Sequence, residues 1–219
     1  MQIDFSELSG NRIYRLMTQV IVPRPVAWVL TKNSDDVSAN VSANQDAFSK
    51  DAFNLAPFSY FNAVCSAPPL VMFSIGKKPD GSRKDTAVNV AERKKMVIHI
   101  PSIEQAHLVT ETSRSLPWGQ SELSSVDCSL VEFDGFSLPR LENAPVAMGC
   151  ELFEIKELGT TPQQLIFAEI KTLYISDAVA QQNEKGFVSV DAQKLNPIMR
   201  LGGDDYGMLG GGETVPRPV

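Results

Sequence analysis

The sequence predicts a mainly β protein, an antiparallel barrel with a few helices around it, and three observations favour this class. Residues 145–158 and 164–176 form two long segments of strand character. The second segment is apolar on both alternations, so both of its faces require cover, as in a closed barrel packed against a helix or a second subunit. The chain also lacks the βαβ rhythm and the GxGxxG fingerprint of dinucleotide-binding α/β folds.

Composition and charge exclude several classes of protein. The chain has 219 residues, of which 43% are hydrophobic and 21% are charged, a balance typical of a globular domain with a real core. The net charge of −6 and the lack of a long Lys/Arg run argue against a nucleic-acid surface. No apolar run reaches membrane-spanning length. We therefore expect a single domain over residues 1–219, without nucleic-acid or membrane partners.

Cysteine usage and the first residues indicate the compartment. Cys65, Cys128 and Cys150 are odd in number and widely spaced, which suits neither a disulfide framework nor a CxxC metal site. The opening residues, MQIDFSELSGNRIYRLM, lack the apolar core of a signal peptide. These features predict a protein of the reducing cytoplasm.

The first third of the chain predicts a short helix, an interrupted strand, a loop and a buried strand. Residues 12–18 favour a helix. Segment 18–31 has β character, and its two prolines, which cannot donate to a ladder, place it at an edge or a bend. Residues 32–51 are polar and turn-rich, which is typical of a surface loop. The apolar run PLVMFSI, residues 69–75, predicts a strand covered on both faces.

The middle of the chain alternates short helices and strands. Asp85 is a candidate N-cap for a helix over residues 85–95. The sequence MVIHI, residues 96–100, predicts a short strand, and residues 103–112 predict a helix. Residues 113–128 show no periodicity and predict irregular structure.

The long strand 145–158 changes its apolar phase. From Val146 to Leu152 the apolar residues occupy even positions, and at Phe153 and Ile155 they occupy odd positions. A phase change inside one strand is typical of a β-bulge or a sharp barrel bend, because an extra residue reverses the face of every side chain that follows.

Positive charge at the start of the 85–95 helix is unusual. Arg83 and Lys84 precede the first turn, where the helix dipole favours acids over cations. Thr86 and Asn89 add a hydroxyl and an amide to the free backbone N–H groups of that turn. A bound phosphate would accept these donors and neutralise the cations. The alternative is a capped helix with solvated cations.

Side chains suited to acid–base or nucleophilic catalysis are scarce. The two histidines, His99 and His107, lie in an apolar strand and on a helix, without clustered ligands for a metal. No GxSxG elbow is present. We therefore expect no catalytic side chain and no metal, and we expect a bound cofactor to supply the chemistry.

Segment 54–69, NLAPFSYFNAVCSAPP, is a second candidate for ligand contact. Asn54, Ser59 and Asn62 alternate with aromatic residues, and such a segment can line the edge of a flat heteroaromatic ring. The alternative is a core strand entered through a proline turn. Ser74 has the same two interpretations: its hydroxyl bonds the backbone, or it faces a ligand.

Four segments, in order, resemble those of a known family: YRLMTQVIVPRPVAWVLT, NLAPFSYFNAVCSAPPLVMFSI, RKDTAVNV and LNPIMRLGGDDYGMLGG. Together they cover most of the chain from Tyr14 to Gly211. The ordered set resembles the flavin reductase-like family of FMN-binding split-barrel proteins, which contains flavoredoxin. The resemblance implies a six-stranded antiparallel split barrel that forms a homodimer and binds FMN near the subunit interface.

The resemblance also implies which residues bind FMN. Those expected along the flavin ring and the ribityl chain are Asn54, Ala56, Pro57, Ser59 and Asn62, with Ser74 close to them. Those expected at the phosphate are Lys84, Asp85, Thr86 and Asn89. Arg200 and Tyr206, in the glycine-rich C-terminal segment 200–219, are expected to cover the pocket, from the same chain or from the partner.

The function that the resemblance implies is that of an FMN-dependent oxidoreductase of the flavin reductase type. NAD(P)H or another donor would reduce bound FMN, and the electrons would pass to a small-molecule or protein acceptor. Two alternatives stay open. One is an electron carrier or flavin-binding module, like flavoredoxin, without its own nicotinamide site. The other is a split barrel that has lost flavin and binds another ligand, such as haem.

Overall fold

A seven-stranded antiparallel sheet forms the barrel at the centre of the molecule in a computed structural model, which describes residues 1–34, 48–160, 163–216 and 218. The strands of the described chain are β1 (Arg24–Pro25), β2 (Ala27–Lys32), β3 (Phe53–Phe58), β4 (Phe61–Ser66), β5 (Pro69–Ile75), β6 (Lys95–Ile100), β7 (Leu130–Val131), β8 (Arg140–Leu141), β9 (Val146–Leu158), β10 (Gln163–Ile175), β11 (Ala180–Gln182), β12 (Val188–Val190), β13 (Met199–Gly202) and β14 (Asp205–Gly207). The central sheet has the order β3–β2–β6–β9–β10–β5–β4, and the smaller sheets are β1–β13–β14, β7–β8 and β11–β12.

The predicted fold class, a mainly β split barrel, is confirmed, although the central sheet has seven strands where the resemblance implies six. The two edges of the central sheet are β3 and β4, which do not pair, and β3 packs against β5 beside this opening. Side chains close this side: the ring centroids of Phe58 on β3 and Phe73 on β5 lie 5.3 Å apart. Aromatic contacts of this length stabilise a core beyond the area they bury.

Short helices surround the barrel. The described helices are α1 (Gly10–Val20), α2 (Asp85–Arg93), α3 (Ala106–Glu111) and α4 (Ala192–Leu195), with 3₁₀ turns at Phe5–Glu7, Lys50–Ala52, Ile103–Gln105 and Glu122–Ser125. Within the described ranges, no helix has the length and apolar character that crossing a bilayer requires. The predicted helix over 103–112 is thus a 3₁₀ turn followed by α3.

Both faces of β2 are buried because this strand separates two hydrophobic clusters. Ala27 and Val29 belong to the cluster inside the barrel. Trp28 and Leu30 belong to a second cluster, much of which comes from residues 101–145. The second layer over β2 is therefore supplied by the chain itself.

The predicted burial of both faces of β10 is confirmed only in part. Ile166 and Ala168 are fully buried in the barrel interior. On the opposite alternation Leu165 and Phe167 are half-buried, and Leu173 is 54% exposed. One face of this strand therefore leaves apolar surface in contact with solvent.

The predicted bulge in the long strand β9 is confirmed. On the neighbouring strand, Phe167 pairs with Glu154 and the next residue, Ala168, pairs with Leu152. Phe153 is therefore left without a partner, at the position where the apolar phase of the sequence changes. One extra residue in one strand of an antiparallel pair defines a β-bulge.

The start of segment 18–31 differs from its prediction as a strand, because α1 continues through residues 18–20. The guanidinium of buried Arg24 donates to the carbonyl oxygens of Thr18 and Ile21, both at 2.6 Å. These bonds satisfy carbonyls that a helix end otherwise leaves free. Beyond the helix, β1 is the edge strand of its small sheet, as the prolines predict.

The predicted N-cap of α2 is wrong by one residue. Lys84 is the N-cap, with extended backbone and no side-chain capping bond, and Asp85 is the first helical residue. The carboxylate of Asp85 does not cap the helix because Lys78 and the backbone N–H of Gly119 hold it. The first turn therefore keeps N–H groups that its own helix does not use.

The predicted surface loop over 32–51 falls largely on residues 35–47, which lie outside the described residues. Its two flanks are described. β2 ends at Lys32, and the 3₁₀ turn Lys50–Ala52 leads directly into β3. The loop thus joins the two neighbouring strands at one edge of the central sheet.

His99 is a fully buried core residue with both ring nitrogens engaged. Leu141 N–H donates to Nε2 at 3.0 Å, so the ring proton lies on Nδ1, which is 3.0 Å from the carbonyl oxygen of Trp28. Burial lowers the pKa of His99 to about 4; the Trp28 carbonyl opposes this shift, and the Arg140 charge adds to it. The side chain is therefore neutral at physiological pH.

We predict that His99 makes stability fall as the pH is lowered. The unfolded chain protonates at a pKa near 6.5 and the folded one near 4, so the stabilisation from neutral His99 is present above pH 6.5 and is lost towards pH 4. The stability advantage of the wild type over His99→Gln should shrink by about 3 kcal/mol across this range. Urea unfolding at several pH values measures it.

Candidate functional site

A small cavity of about 60 Å³ lies between β3, the start of α2 and the segment after α3. The residues that line it are Asn54, Ala56, Pro57, Lys78, Lys84, Asp85, Thr86, Thr112, Ser113, Arg114, Ser115, Leu116 and Glu122. We call it the basic pocket, because Lys78, Lys84 and Arg114 carry positive charge. The two predicted groups, residues 54–57 and 84–86, meet in its wall, although they are far apart in sequence.

The carboxylate of Asp85 holds the wall of the basic pocket together. One oxygen, Oδ1, lies 2.6 Å from Nζ of Lys78, and the other accepts the backbone N–H of Gly119 at 3.1 Å. Both side chains of the ion pair are largely shielded from solvent. A buried carboxylate requires such partners. Asp85 therefore holds the segment that contains Lys78 and the segment that contains Gly119 close to the start of α2. What Asp85 offers an anion is its backbone N–H, while its side chain neutralises Lys78.

Lys84 is the cation whose charge is least compensated in the pocket. Its Nζ lies 5.7 Å from the centre of the Phe58 ring, a cation–π contact across the barrel opening. Burial lowers the pKa of the Lys84 ammonium, the nearby Lys78 lowers it further, and Glu122 opposes both. Burial and the neighbouring Lys78 both disfavour the charged form of Lys84. A bound anion would favour that form, because it would compensate the positive charge.

Asn54 and Thr86 are linked directly. The Asn54 side-chain amide donates to the Thr86 hydroxyl at 2.9 Å, and both residues are buried. The hydroxyl keeps its own proton to donate. This bond joins β3 to the first turn of α2, so a ligand at the helix start also faces the edge of β3.

Glu122 is the second carboxyl group of the basic pocket. It begins a 3₁₀ turn, is 94% buried, and accepts the Leu55 backbone N–H on Oε2 at 3.0 Å. Burial raises the pKa of Glu122 to about 7; hydrogen bonds to Leu55 and to its own backbone lower it, as does Lys78, and Asp85 raises it. Near neutral pH this side chain is therefore divided between its two protonation states.

A wider cavity of about 280 Å³ adjoins the basic pocket. Its lining residues are Tyr14, Val26, Pro57, Ser59, Val109, Thr110, Ser113, Arg200, Asp204 and Tyr206. We call it the tyrosine pocket. Pro57 and Ser113 line both cavities, so the two lie side by side, and we call them together the recess.

Arg200 and Tyr206 lie in the tyrosine pocket and come from the same chain as the basic pocket. The guanidinium carbon of Arg200 is 4.6 Å from the centre of the Tyr206 ring, and its Nη2 donates to the Gly203 carbonyl at 2.6 Å. The Thr110 hydroxyl donates to the Ala106 carbonyl and accepts the phenol O–H of Tyr206, with 3.0 Å between the two hydroxyl oxygens. These contacts hold the β13–β14 hairpin against α3.

Three of the predicted site residues lie outside both pockets. Asn62, on the exposed strand β4, accepts the Ala63 N–H on its own side chain. Ser74 is half-buried on β5 and faces away from the barrel interior, on the alternation opposite Phe73.

Asn89 is the third, and it has a structural role in this chain. Its side-chain amide donates to Thr31 at 3.0 Å and to Asn33 at 3.1 Å. The buried amide thereby fixes α2 against the end of β2. A role for these three residues in cofactor binding stays a prediction.

Seven residues of the basic pocket are missing from the sequence-based set: Lys78, Thr112, Ser113, Arg114, Ser115, Leu116 and Glu122. All but Lys78 belong to, or border, residues 113–128. This stretch has no periodicity, so the sequence does not predict where it lies in the fold. The signal that was available is the tripeptide Ser-Arg-Ser at 113–115, in which a cation sits between two hydroxyls. Such a cluster suits an anion, since charge-assisted hydrogen bonds are the strong ones.

Arg83 points away from the basic pocket. Its guanidinium lies 3.6 Å from Glu157, and both side chains are more than half exposed. It lines a separate cavity of about 200 Å³ on the other side of Lys84. Of the two cations singled out at the start of α2, only Lys84 therefore belongs to the recess.

A comparison with known protein families identifies the group to which these features belong. A model described as "flavin reductase like domain" matches residues 17–190, most of the chain. The chain belongs to this family. The resemblance drawn from the four ordered segments is thereby confirmed.

Three similar proteins extend the match over almost the whole chain. An uncharacterised Bacillus subtilis protein is 31% identical, over 97% of this chain and 96% of its own. The crystal structure of nitrilotriacetate monooxygenase component B from Bacillus cereus has a TM-score of 0.82 at 30% identity, covering 98% of each chain. That of 2-nitrobenzoate 2-nitroreductase from Pseudomonas fluorescens has a TM-score of 0.82 at 25% identity, covering 100% of this chain and 96% of its own.

Proposed function

We propose that this protein is an FMN-dependent oxidoreductase of the flavin reductase type. The observation that carries the proposal is a pair of adjoining cavities. The small basic pocket lies at the start of α2, and the wider tyrosine pocket, which Tyr14 and Tyr206 line, lies beside it. A phosphorylated ring ligand needs both kinds of environment. Membership of the flavin reductase like family supports the choice of a flavin among such ligands.

The donors of the basic pocket fit a phosphate. Lys84 supplies a charge, Thr86 a hydroxyl and the first turn of α2 its free N–H groups, which together form the usual anion site of a helix N-terminus. Arg114 and Ser115, from the segment after α3, add donors to the lining. In this proposal Asn54, Ala56, Pro57 and Ser59 contact the ribityl chain and the ring edge.

Bound FMN would supply hydride acceptance and onward electron transfer. The chain's own contribution is to bind and orient. The basic pocket would anchor the phosphate, and the buried wall formed by β3 would exclude water from one side of the ligand. No side chain of the recess is assigned a proton transfer to the reacting atoms.

The tyrosine pocket is proposed to bind the electron donor or acceptor. Tyr14 and Tyr206 offer flat apolar faces, and Arg200 offers a cation for an anionic group. The two solved structures compared above are named as redox enzymes: nitrilotriacetate monooxygenase component B and 2-nitrobenzoate 2-nitroreductase. That supports a redox reaction here, with NAD(P)H as the proposed donor.

The proposal includes a homodimer, as the resemblance implies. Exposed aliphatic side chains support it: Val20, Ile21 and Val22 follow one another at the end of α1, and Val64 is exposed on β4, which packs near β1. Contiguous apolar surface of this kind marks interaction sites. Light scattering should give about twice the chain mass of 24.0 kDa, and a monomer would contradict this part of the proposal.

The proposal also places the protein in the reducing cytoplasm, which suits its three free cysteines.

Lys84→Ala should weaken FMN binding by about 1–3 kcal/mol, since it removes a charge-assisted contact to the phosphate. Quenching of FMN fluorescence measures the affinity. Arg83→Ala is the matched control: it removes the neighbouring cation, which faces Glu157, and should change the affinity less than threefold or so. Riboflavin, which has no phosphate, should bind both variants as it binds the wild type. Equal losses in the two variants would remove Lys84 from the phosphate site.

Addition of NADH or NADPH to the FMN-loaded protein should bleach the flavin absorbance in a stopped-flow experiment. Arg200→Ala should raise the nicotinamide concentration for half-maximal rate by roughly tenfold, the loss of one contact to a charged group. Arg12→Ala, at an exposed arginine of α1, also removes one positive charge. This control should leave the nicotinamide concentration for half-maximal rate unchanged. Flavin binding without bleaching would instead favour an electron carrier, and a protein that takes up no FMN would favour the flavin-free alternative.

A further inference from the structure

The basic pocket contains a carboxyl group that the proposed anion site does not need. Glu122 is 94% buried and lines the same small cavity as Lys84 and Thr86. Its Oε2 accepts the Leu55 backbone N–H, which fixes the side chain towards the pocket. Within the described ranges it has no partner for a salt bridge. A buried acid beside an anion site is unfavourable unless it can become neutral.

The charges of the pocket show what an incoming phosphate would meet. Asp85 neutralises Lys78 at 2.6 Å, and Arg114 is paired with Glu111. Lys84 is left as the one cation of the lining without a carboxylate within salt-bridge distance among the described residues. A phosphate monoester brings nearly two negative charges at pH 7, and ionised Glu122 would add a third within the same cavity.

The remaining charged groups near Glu122 act on it in opposite directions: Lys78 lowers its pKa, and Asp85 raises it. On the 3₁₀ turn packed against it, Lys50 directs its Nζ to the Val126 carbonyl, and Asp51 accepts the Ser124 hydroxyl. From α2 and the segment before it the facing groups are Asp85, Lys84 and Lys78. From β3 only the Leu55 N–H contacts the carboxyl.

We propose that Glu122 takes up a proton when the site binds a phosphate, so that pH sets how tightly the pocket holds its anion. This inference rests on the proposed function, because it requires the phosphate of the cofactor to lie in the basic pocket. Neutral Glu122 keeps its bond to Leu55, since the carbonyl oxygen of a protonated acid still accepts. Its new O–H becomes a donor for a phosphate oxygen. One change thus removes a repulsion and adds a hydrogen bond.

Linkage fixes the sign of the effect. Burial already holds the pKa of Glu122 near 7 without a ligand, and an adjacent phosphate raises it further. Well below pH 7, Glu122 is protonated both with and without bound phosphate, so binding takes up no proton. Above pH 7, free Glu122 is ionised and each binding event must take up one proton from solution. The affinity therefore falls by at most about tenfold per pH unit. The phosphate itself titrates near pH 6 and is fully ionised through this range.

The test compares FMN with riboflavin on the full-length protein at pH 6.5, 7.5 and 8.5. For the wild type, FMN affinity should fall about tenfold between pH 7.5 and 8.5, while riboflavin affinity stays constant. Glu122→Gln, which retains an acceptor for Leu55, should bind FMN at pH 8.5 as tightly as at pH 7.5. Glu184→Gln, at an exposed turn remote from the pocket, should reproduce the wild-type slope.

The outcomes separate this inference from the proposed function. If FMN binds no tighter than riboflavin at any pH, the phosphate site itself is wrong, and both fall. If FMN is preferred but the slope persists in Glu122→Gln, titration of Lys84 causes it, and only the inference is overturned. Should Glu122→Gln fail to fold, calorimetry of the wild type at pH 8 in buffers of differing ionisation enthalpy decides. Uptake approaching one proton per FMN supports the inference, and no uptake overturns it.

Discussion

The buried carboxylate of Asp85 is the constraint on which the site depends. Removed from water, it must be compensated, and it takes Lys78 from one side and the Gly119 N–H from the other. Three stretches of chain are thereby brought to one point: the segment before α2, the helix start, and the irregular stretch that follows α3. The same engagement leaves the first turn of α2 without a side-chain cap, and its N–H groups face the basic pocket.

The barrel explains why the recess forms at this place. β2 is buried on both faces, so β3 beside it and α2 above it are held between two clusters, with Asn89 fixing the helix to the end of β2. β3 is an edge strand of the central sheet, and Phe58 at its end contacts Phe73 on β5. Because β3 pairs on one side only, Asn54, Ala56 and Pro57 can line the basic pocket.

Two buried titratable groups act on stability in opposite directions. Neutral His99 is favoured by a high pH, whereas buried Glu122 is favoured by a low pH, because each prefers its uncharged form. Between pH 4.5 and 6.5 their contributions to the free energy of unfolding partly cancel. Over this range the pH dependence of stability that comes from His99 thus opposes the one that comes from Glu122, although the two residues serve different parts of the molecule.

Local patterns in the sequence were sufficient for β5, β6, β9 and β10, for the bulge at Phe153 and for the edge position of Pro25, since each depends on an apolar pattern or on a missing N–H. They also identified Lys84 and Thr86 as donors at a helix start. The sequence could not separate Lys84 from Arg83, nor exclude Asp85 as a cap. It also missed Glu122, because that group is placed by packing of segments distant along the chain. Side-chain direction at a helix start and the burial of an isolated acid are properties of tertiary contacts, which leave no period in the sequence.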